Sequence, residues 1–266
     1  MKSLGATAFT FASVSDTDVG QVRKINEDSC LESAQSCLWV VADGMGGHAA
    51  GDFASQTVVA ALDSFGVPAS YEDLRHRIAD RLQQANQRIQ QHAAELACGA
   101  IGSTVVALIG FEDRFLCYWS GDSRVYRMRE GKLRQVTRDH TEVQALLDAG
   151  TITAEQARTW PRKNVITRAI GVTSELEVEM IEGGLQDQDL FLLCSDGLTE
   201  YFDDLELSHV LKNREWSMAT KCDYLVAQAV ERGGKDNVTV VIVRATETGL
   251  SEVEVDGQFP EFEGSL

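Results

Sequence analysis

The sequence predicts an α+β fold in which antiparallel sheets are covered by helices, and three observations carry that expectation. Strand-like segments come in runs of neighbours instead of alternating singly with helices, which argues against a parallel sheet. Two helical stretches follow one another directly, over about 49–65 and 71–97. Several strand segments are apolar without interruption, as strands covered on both faces are.

Taken in order, Phe9 to Val14 alternates well enough for a half-buried strand, and Leu38 to Ala42 (LWVVA) is apolar throughout. The second helical stretch contains QQANQRIQQHAAEL, rich in good helix formers and free of Gly and Pro. From Gly102 the segments STVVALIGF, RFLCYWS and RVYRMRE, separated by Glu112-Asp113 and Gly121-Asp122, read as an antiparallel meander. A helix near Glu142 to Asp148 leads into 150–164, which carries Gly150, Pro161 and little apolar periodicity and is predicted as a mobile excursion. Strands resume with LEVEMIE and DLFLLCS and, after a helix near Lys221 to Arg232, VTVVIVR. With no internal repeat and no interdomain linker, a single domain over 1–248 with a flap at about 150–165 is expected. The tail, 249–266, holds Glu252, Glu254, Asp256, Glu261 and Glu263 with no Lys or Arg, so it is expected to be disordered and to modulate partner binding.

Composition narrows the function classes. Hydrophobic residues at 44% and charged residues at 24% are ordinary for a packed domain and unlike a fibrous or disordered chain. Against 24 Lys and Arg stand 41 Asp and Glu, and the net charge of −17 argues against a nucleic-acid partner. Most of these carboxylates are read as solvated surface. The six cysteines form no CxxC pair and no zinc-type spacing, and Cys117 and Cys194 lie inside apolar runs where a free thiol acts as a small hydrophobe, so a reducing compartment is expected. Thr and Ser interrupt the opening MKSLGATAFTFASVSD before it makes a signal-peptide core. No apolar run approaches the roughly 18 residues of a membrane span. A cytoplasmic monomer away from membranes is expected.

The aspartates carry the chemical signal. Asp43 in WVVADGMGG and Asp196 in FLLCSDGL each end an apolar strand before a Gly, and Asp236 in GKDNVTVVIV begins one. In an antiparallel sheet such positions are neighbours, so the three are expected to converge on one sheet edge. Asp122 in YWSGDSRVY sits at a turn between strands, and Glu27-Asp28 in VRKINEDSC follows the first strand. A single Asp-Gly is ordinary turn chemistry. Several carboxylates in one place repel, and burying one uncompensated costs several kcal/mol. Divalent cations relieve that cost, and oxygen ligands without His or Cys clusters select hard ions such as Mg²⁺, Mn²⁺ or Ca²⁺.

Eight segments in order, TDVGQVRKINEDS (17–29), VVADGMGGHAAG (40–51), GSTVV (102–106), SGDSRVY (120–126), TRDH (137–140), NVITRAIG (164–171), LCSDGL (193–198) and KDNVTVV (235–241), resemble the bacterial type 2C protein phosphatases. That family is metal-dependent and acts on phosphoserine and phosphothreonine, and the resemblance spans about residues 9–245. It implies a four-layer α-β-β-α sandwich and two Mn²⁺ or Mg²⁺ ions at one edge, with a third, weaker site. By the resemblance Asp43 is shared by both ions, Gly44 offers its carbonyl, Asp196 and Asp236 hold the first ion, Glu27 and Asp28 serve the second directly or through water, and Asp122 with Asp196 makes the third. Arg23 matches the phosphate-clamping arginine, and its fork suits two phosphate oxygens. The resemblance further implies direct hydrolysis by a water between the ions, on phosphorylated proteins made by a cognate Ser/Thr kinase pathway. His48 suits protonation of the leaving alkoxide by its pKa class, and His140 is read as structural. Trp160-Pro161 stands where many bacterial relatives have His-Pro, so Trp160 is expected either to pack on substrate or to anchor the flap.

Two rival readings are weighed. Gly44, Gly46 and Ala49 fit a G-x-G-x-x-A dinucleotide fingerprint with Asp63 downstream, but about 13 residues between Ala49 and Asp63 leave no room for a helix and a strand. An inactive phosphoprotein-binding relative is disfavoured by the presence of every metal-type carboxylate together with Arg23.

Overall fold

The computed structural model describes residues 9–46, 50–97 and 99–248. His48 and the tail from Gly249 lie outside the described residues. Strands β1 (Phe9–Asp18), β2 (Asp28–Ser33) and β3 (Leu38–Met45) are followed by helices α1 (Gly51–Asp63) and α2 (Tyr71–Leu96). Then come β4 (Gly102–Ser103), β5 (Val105–Phe111), β6 (Arg114–Ser120), β7 (Arg124–Arg129) and β8 (Lys132–Gln135), and the short helices α3 (Glu142–Asp148) and α4 (Ala154–Arg158). The chain closes with β9 (Glu179–Gly184), β10 (Leu190–Cys194), α5 (Asp196–Thr199), α6 (Asp204–Lys212), α7 (Met218–Glu231) and β11 (Val238–Glu247).

The strands form two antiparallel sheets, ordered β1-β11-β10-β7-β8 and β2-β3-β5-β6-β9, with β4 paired to β3. Period-two alternation divides each central strand between two cores. In β3, Leu38, Val40 and Ala42 pack with α1 and α2, while Trp39 and Val41 face the opposite sheet beside Phe191, Leu193, Val241 and Val243. On the outer face of that opposite sheet, Leu192, Cys194, Val240 and Ile242 pack under Leu207, Leu211, Leu225 and Val226 of α6 and α7. Three buried cores between four layers follow, which is the predicted sandwich. Each large side chain so buried contributes about 1.5–3 kcal/mol of transfer free energy, which is why the uninterrupted apolar runs end up central.

Local chemistry sets the helix limits. The Ser70 hydroxyl accepts from the Asp73 amide at 3.2 Å and opens α2, whose buried Leu74, Ile78, Leu82, Ala85 and Ile89 recur at helical spacing. Helix α7 begins at Met218 behind its Ser217 cap, three residues before Lys221.

The differences from expectation fall on polar or short elements. The edge strand β2, with sequence DSCLES, lacks the apolar signature and is fixed by its pairing to β3. Strand β1 runs to Asp18, beyond Val14, because Ser15 to Asp18 pair with Val238 to Val241. The excursion after Gly150 contains a helical turn, α4, held by a capping box between Thr153 and Gln156. Asp63, the acid required by the dinucleotide reading, closes α1 and does not end a strand.

Candidate metal centre

The three aspartates of the sequence pattern meet across the two sheets and not on one sheet edge. Asp43 lies in β3 of one sheet, while Asp196 follows β10 and Asp236 precedes β11 in the other. The site lies where the ends of both sheets face each other, a consequence of stacking that strand patterning cannot express. Arg23, Glu27, Asp43, Gly44, Asp122, Asp196 and Asp236 all line one cavity of about 230 Å³. Met45, Gly46, Thr104, Asn164 and Ile166 complete its wall.

A frame of buried hydrogen bonds positions these groups. The Asp43 amide donates to Thr104 Oγ1 at 3.0 Å, the Thr104 amide donates to the Asp43 carbonyl at 2.8 Å, and Thr104 Oγ1 meets Ser123 Oγ at 2.7 Å. Asn237 Oδ1 accepts from the Glu27 amide at 2.8 Å, and its Nδ2 donates to the carbonyls of Val19 and Ile25, which ties the Arg23 loop to the start of β11. A Cβ at Gly44 would stand 2.0 Å from the Gly51 carbonyl oxygen, so β3 can pass the start of α1 here only as glycine. Gly121, at φ +106°, turns β6 toward Asp122 against Thr104. His140 supports that turn: its Nδ1 accepts from the Gly121 amide at 3.2 Å, which leaves Nε2 to donate to Glu179, also at 3.2 Å. The structural role read for His140 is what the geometry gives it.

Asp28 sits one step behind the cavity, opposite Asp43 in the β2–β3 register. Its Oδ2 accepts from Ser195 Oγ at 2.8 Å and Thr239 Oγ1 at 2.7 Å, while Oδ1 is buried without a partner. Burial pushes the Asp28 carboxyl up to about 7, with Asp196 and Asp236 adding repulsion. Burial, then Asp236, pushes Asp196 up to about 6. Asp43 is raised well above the usual carboxylate range by burial and by the charges of Asp28, Asp196, Asp122 and Asp236, and Asp122 by burial and Asp196. Burial raises Glu27 as well. The protein has therefore gathered more negative charge than its own cations neutralise.

This donor set fits hard divalent cations: oxygen ligands only, mutual repulsion to relieve, and an orphaned carboxylate oxygen beneath. As the side chains stand, no three acid, His or Cys groups among the described residues close on a common point. Asp236 Oδ2 instead accepts from Arg23 Nη2 at 2.7 Å. Both partners remain about half exposed, so neither side chain is locked in this pair by surrounding packing. Desolvation works against the Arg23 charge, but Asp236, Glu27 and Asp43 together raise its pKa.

A second cavity of about 350 Å³ adjoins the first, sharing Asp122, Asn164 and Asp196 and walled by α3 and α4. Trp160 lines neither. Thr104 in GSTVV, Asn237 in KDNVTVV and the exposed Asn164 in NVITRAIG lie within the matching segments but carry no role from sequence alone; for Thr104 and Asn237, both buried, the signal is that a buried polar residue beside an acidic cluster answers a hydrogen bond.

Known proteins resemble this chain over most of its length. A family model described as Protein phosphatase 2C matches residues 21–231. The serine/threonine phosphatase stp of Listeria welshimeri is 37% identical over 235 residues, covering 85% of this chain and 93% of its own. Among solved structures, PppA, a key regulatory component of T6SS in Pseudomonas aeruginosa, superposes with a TM-score of 0.81 at 41% identity, covering 89% of this chain and 98% of that one. The catalytic domain of the serine threonine protein phosphatase PstP, in complex with two manganese ions, matches with a TM-score of 0.80 at 35% identity over 90% of this chain and 99% of that one.

Proposed function

The chain belongs to the protein phosphatase 2C family, and we propose how its residues divide the labour of a metal-dependent serine/threonine phosphatase. The reaction is hydrolysis of phosphoserine and phosphothreonine monoesters on proteins with Mn²⁺ or Mg²⁺. The observation that carries the reading is the single cavity in which Arg23, Glu27 and four aspartates from two sheets meet.

Asp43 with the Gly44 carbonyl, Asp196 and Asp236 would hold a first ion, Asp43 with Glu27 and Asp28 would serve a second directly or through water, and Asp122 with Asp196 would offer a weaker third. When bound, the ions supply charge neutralisation and an acidified water as nucleophile. Arg23 exchanges its present bond to Asp236 for the phosphate, where its planar fork takes two oxygens and balances their growing charge. The frame through Thr104 and Asn237 fixes the backbone that carries Asp43 and Glu27, so the rearrangement on binding is left to side chains such as Arg23 and Asp236. His48 donates the proton to the leaving alkoxide, a step an imidazole can perform as general acid.

Residues 1–248 act as the catalytic domain, with 150–165 as a flap beside the second cavity and 249–266 as a separate acidic tail. The partners are phosphorylated proteins, and the kinase that made them is the opposing member of the same pathway. The enzyme works as a monomer in the cytoplasm, a reading supported by the five described cysteines, all of them free.

Asp43→Asn tests the assignment. It keeps the shape of the side chain and removes the charge both ions need, so Mn²⁺-dependent hydrolysis of p-nitrophenyl phosphate is expected to fall at least about a hundredfold, the scale of losing a principal transition-state contact. Activity within a factor of two of the parent refutes the role of Asp43.

A further inference from the structure

A cavity of about 540 Å³, sharing no lining residue with the metal centre, opens between the β1-β11-β10-β7-β8 sheet and helices α6 and α7. Its wall holds Lys212, Arg214, Lys221 and Arg244 against one acid, Glu130. On a chain of net charge −17 this concentration of cations is out of proportion. Among the described residues none of the four is in an ion pair, although most other arginines near the surface are. Lys221 is only 3% exposed, and its Nζ donates to the Leu211 carbonyl at 2.9 Å, leaving ammonium donors without a described acceptor. Burial, and after it the neighbouring Arg244 charge, lowers its pKa. Between the cations lie Met128, Leu190, Leu211 and the half-buried Trp216, so the cavity offers an apolar floor with a basic rim.

The complementary chemistry is in the same chain. Residues 249–266 carry five acids and no base, together with Phe259 and Phe262. The root of this segment lies at the cavity: Arg244 is in β11, and the Glu247 amide donates at 3.0 Å to Asp187, next to Gln188 in the cavity wall. Eighteen residues extended span up to about 60 Å, so reach is not limiting. A tether this short raises the local concentration to the order of 1 mM, so an intrinsic Kd near 0.1 mM suffices for about tenfold occupancy.

We propose that the acidic, aromatic segment 249–266 binds its own chain in this cavity, its carboxylates on Lys212, Arg214, Lys221 and Arg244 and a phenylalanine against the Trp216 floor. The proposal is independent of the phosphatase site.

The test compares the full chain with a chain ended after Thr248, adding the synthetic peptide 249–266 and following binding by calorimetry and tryptophan fluorescence. Unchanged p-nitrophenyl phosphate hydrolysis serves as the check that each variant is folded. The peptide is expected to bind the shortened chain, to weaken at least about tenfold between 50 and 300 mM salt, and to bind the full chain at least about tenfold more weakly because the tethered copy competes. Lys212→Glu with Arg214→Glu, both at exposed positions, is expected to reduce peptide binding to the shortened chain about tenfold or more. No binding to the shortened chain, equal binding to both chains, or binding indifferent to the two charge reversals overturns the proposal. A full chain that dimerises through its tail, as judged by sedimentation, overturns the intramolecular form.

Discussion

Asp28 Oδ2 holds two hydroxyl donors while Oδ1 holds none, and this asymmetry shows how the site is charged. An acid whose folded pKa is raised gives its full stability below its ordinary value near 4 and loses it as pH climbs through the folded value, about 6 for Asp196 and about 7 for Asp28. His140 acts the other way: burial lowers its pKa, so its contribution is lost as pH falls below roughly 6.5. Four raised aspartates against one histidine decide the sign. In EDTA, the thermal midpoint is therefore expected to drop as pH rises from about 5 to 8, and Mn²⁺ at the upper end is expected to restore it. Asp28→Asn should flatten the EDTA profile above about pH 5. A wild-type midpoint that rises over this range in EDTA contradicts the electrostatic account.

Among the elements, helix α6 shows how a cap fixes a boundary that apolar spacing leaves open. Asp203 accepts from the Glu206 amide at 2.9 Å and the Glu206 carboxylate accepts from the Asp203 amide at 3.1 Å, a capping box at the start of the helix that covers Leu192 and Ile242. Asp203→Ala is expected to lower the free energy of unfolding by about 1 kcal/mol in urea titration and to leave phosphate-ester turnover unchanged, since α6 contributes nothing to the metal-centre cavity. A drop in turnover with no loss of stability would place α6 in the site instead. The edge strand β2 makes the converse point: its register puts Asp28 opposite Asp43, yet its own residues carry almost no strand signal.

At the scale of the molecule, a net charge of −17 acts on every substrate before it reaches the cavity. Phosphopeptides with acidic flanks are repelled and those with basic flanks are drawn in, over a distance set by the Debye length, which shrinks from about 30 Å at 0.01 M salt to about 8 Å at 0.15 M. With paired phosphothreonine peptides differing only in flanking charge, kcat/KM is expected to favour the basic peptide at low salt and the ratio to approach unity as salt rises. A ratio independent of ionic strength would show that recognition is local contact alone.

The apolar runs through Leu38–Ala42, Leu190–Cys194 and Val240–Val243 determined by themselves that these strands would be central, because burial on two faces demands hydrophobic residues at every position. The aspartates beside those runs were legible for the same reason: a carboxylate abutting a buried strand needs an explanation that surface solvation cannot give. Only the tertiary structure decided that Asp43 comes from one sheet and Asp196 and Asp236 from the other, that Asp28 lies behind the cavity wall, and that Thr104 and Asn237 hold the loops in place. Sheet stacking, edge-strand pairing and buried polar bonds join residues up to some two hundred positions apart, as Glu27 and Asn237 are, and a periodicity read along the chain carries no information at that separation.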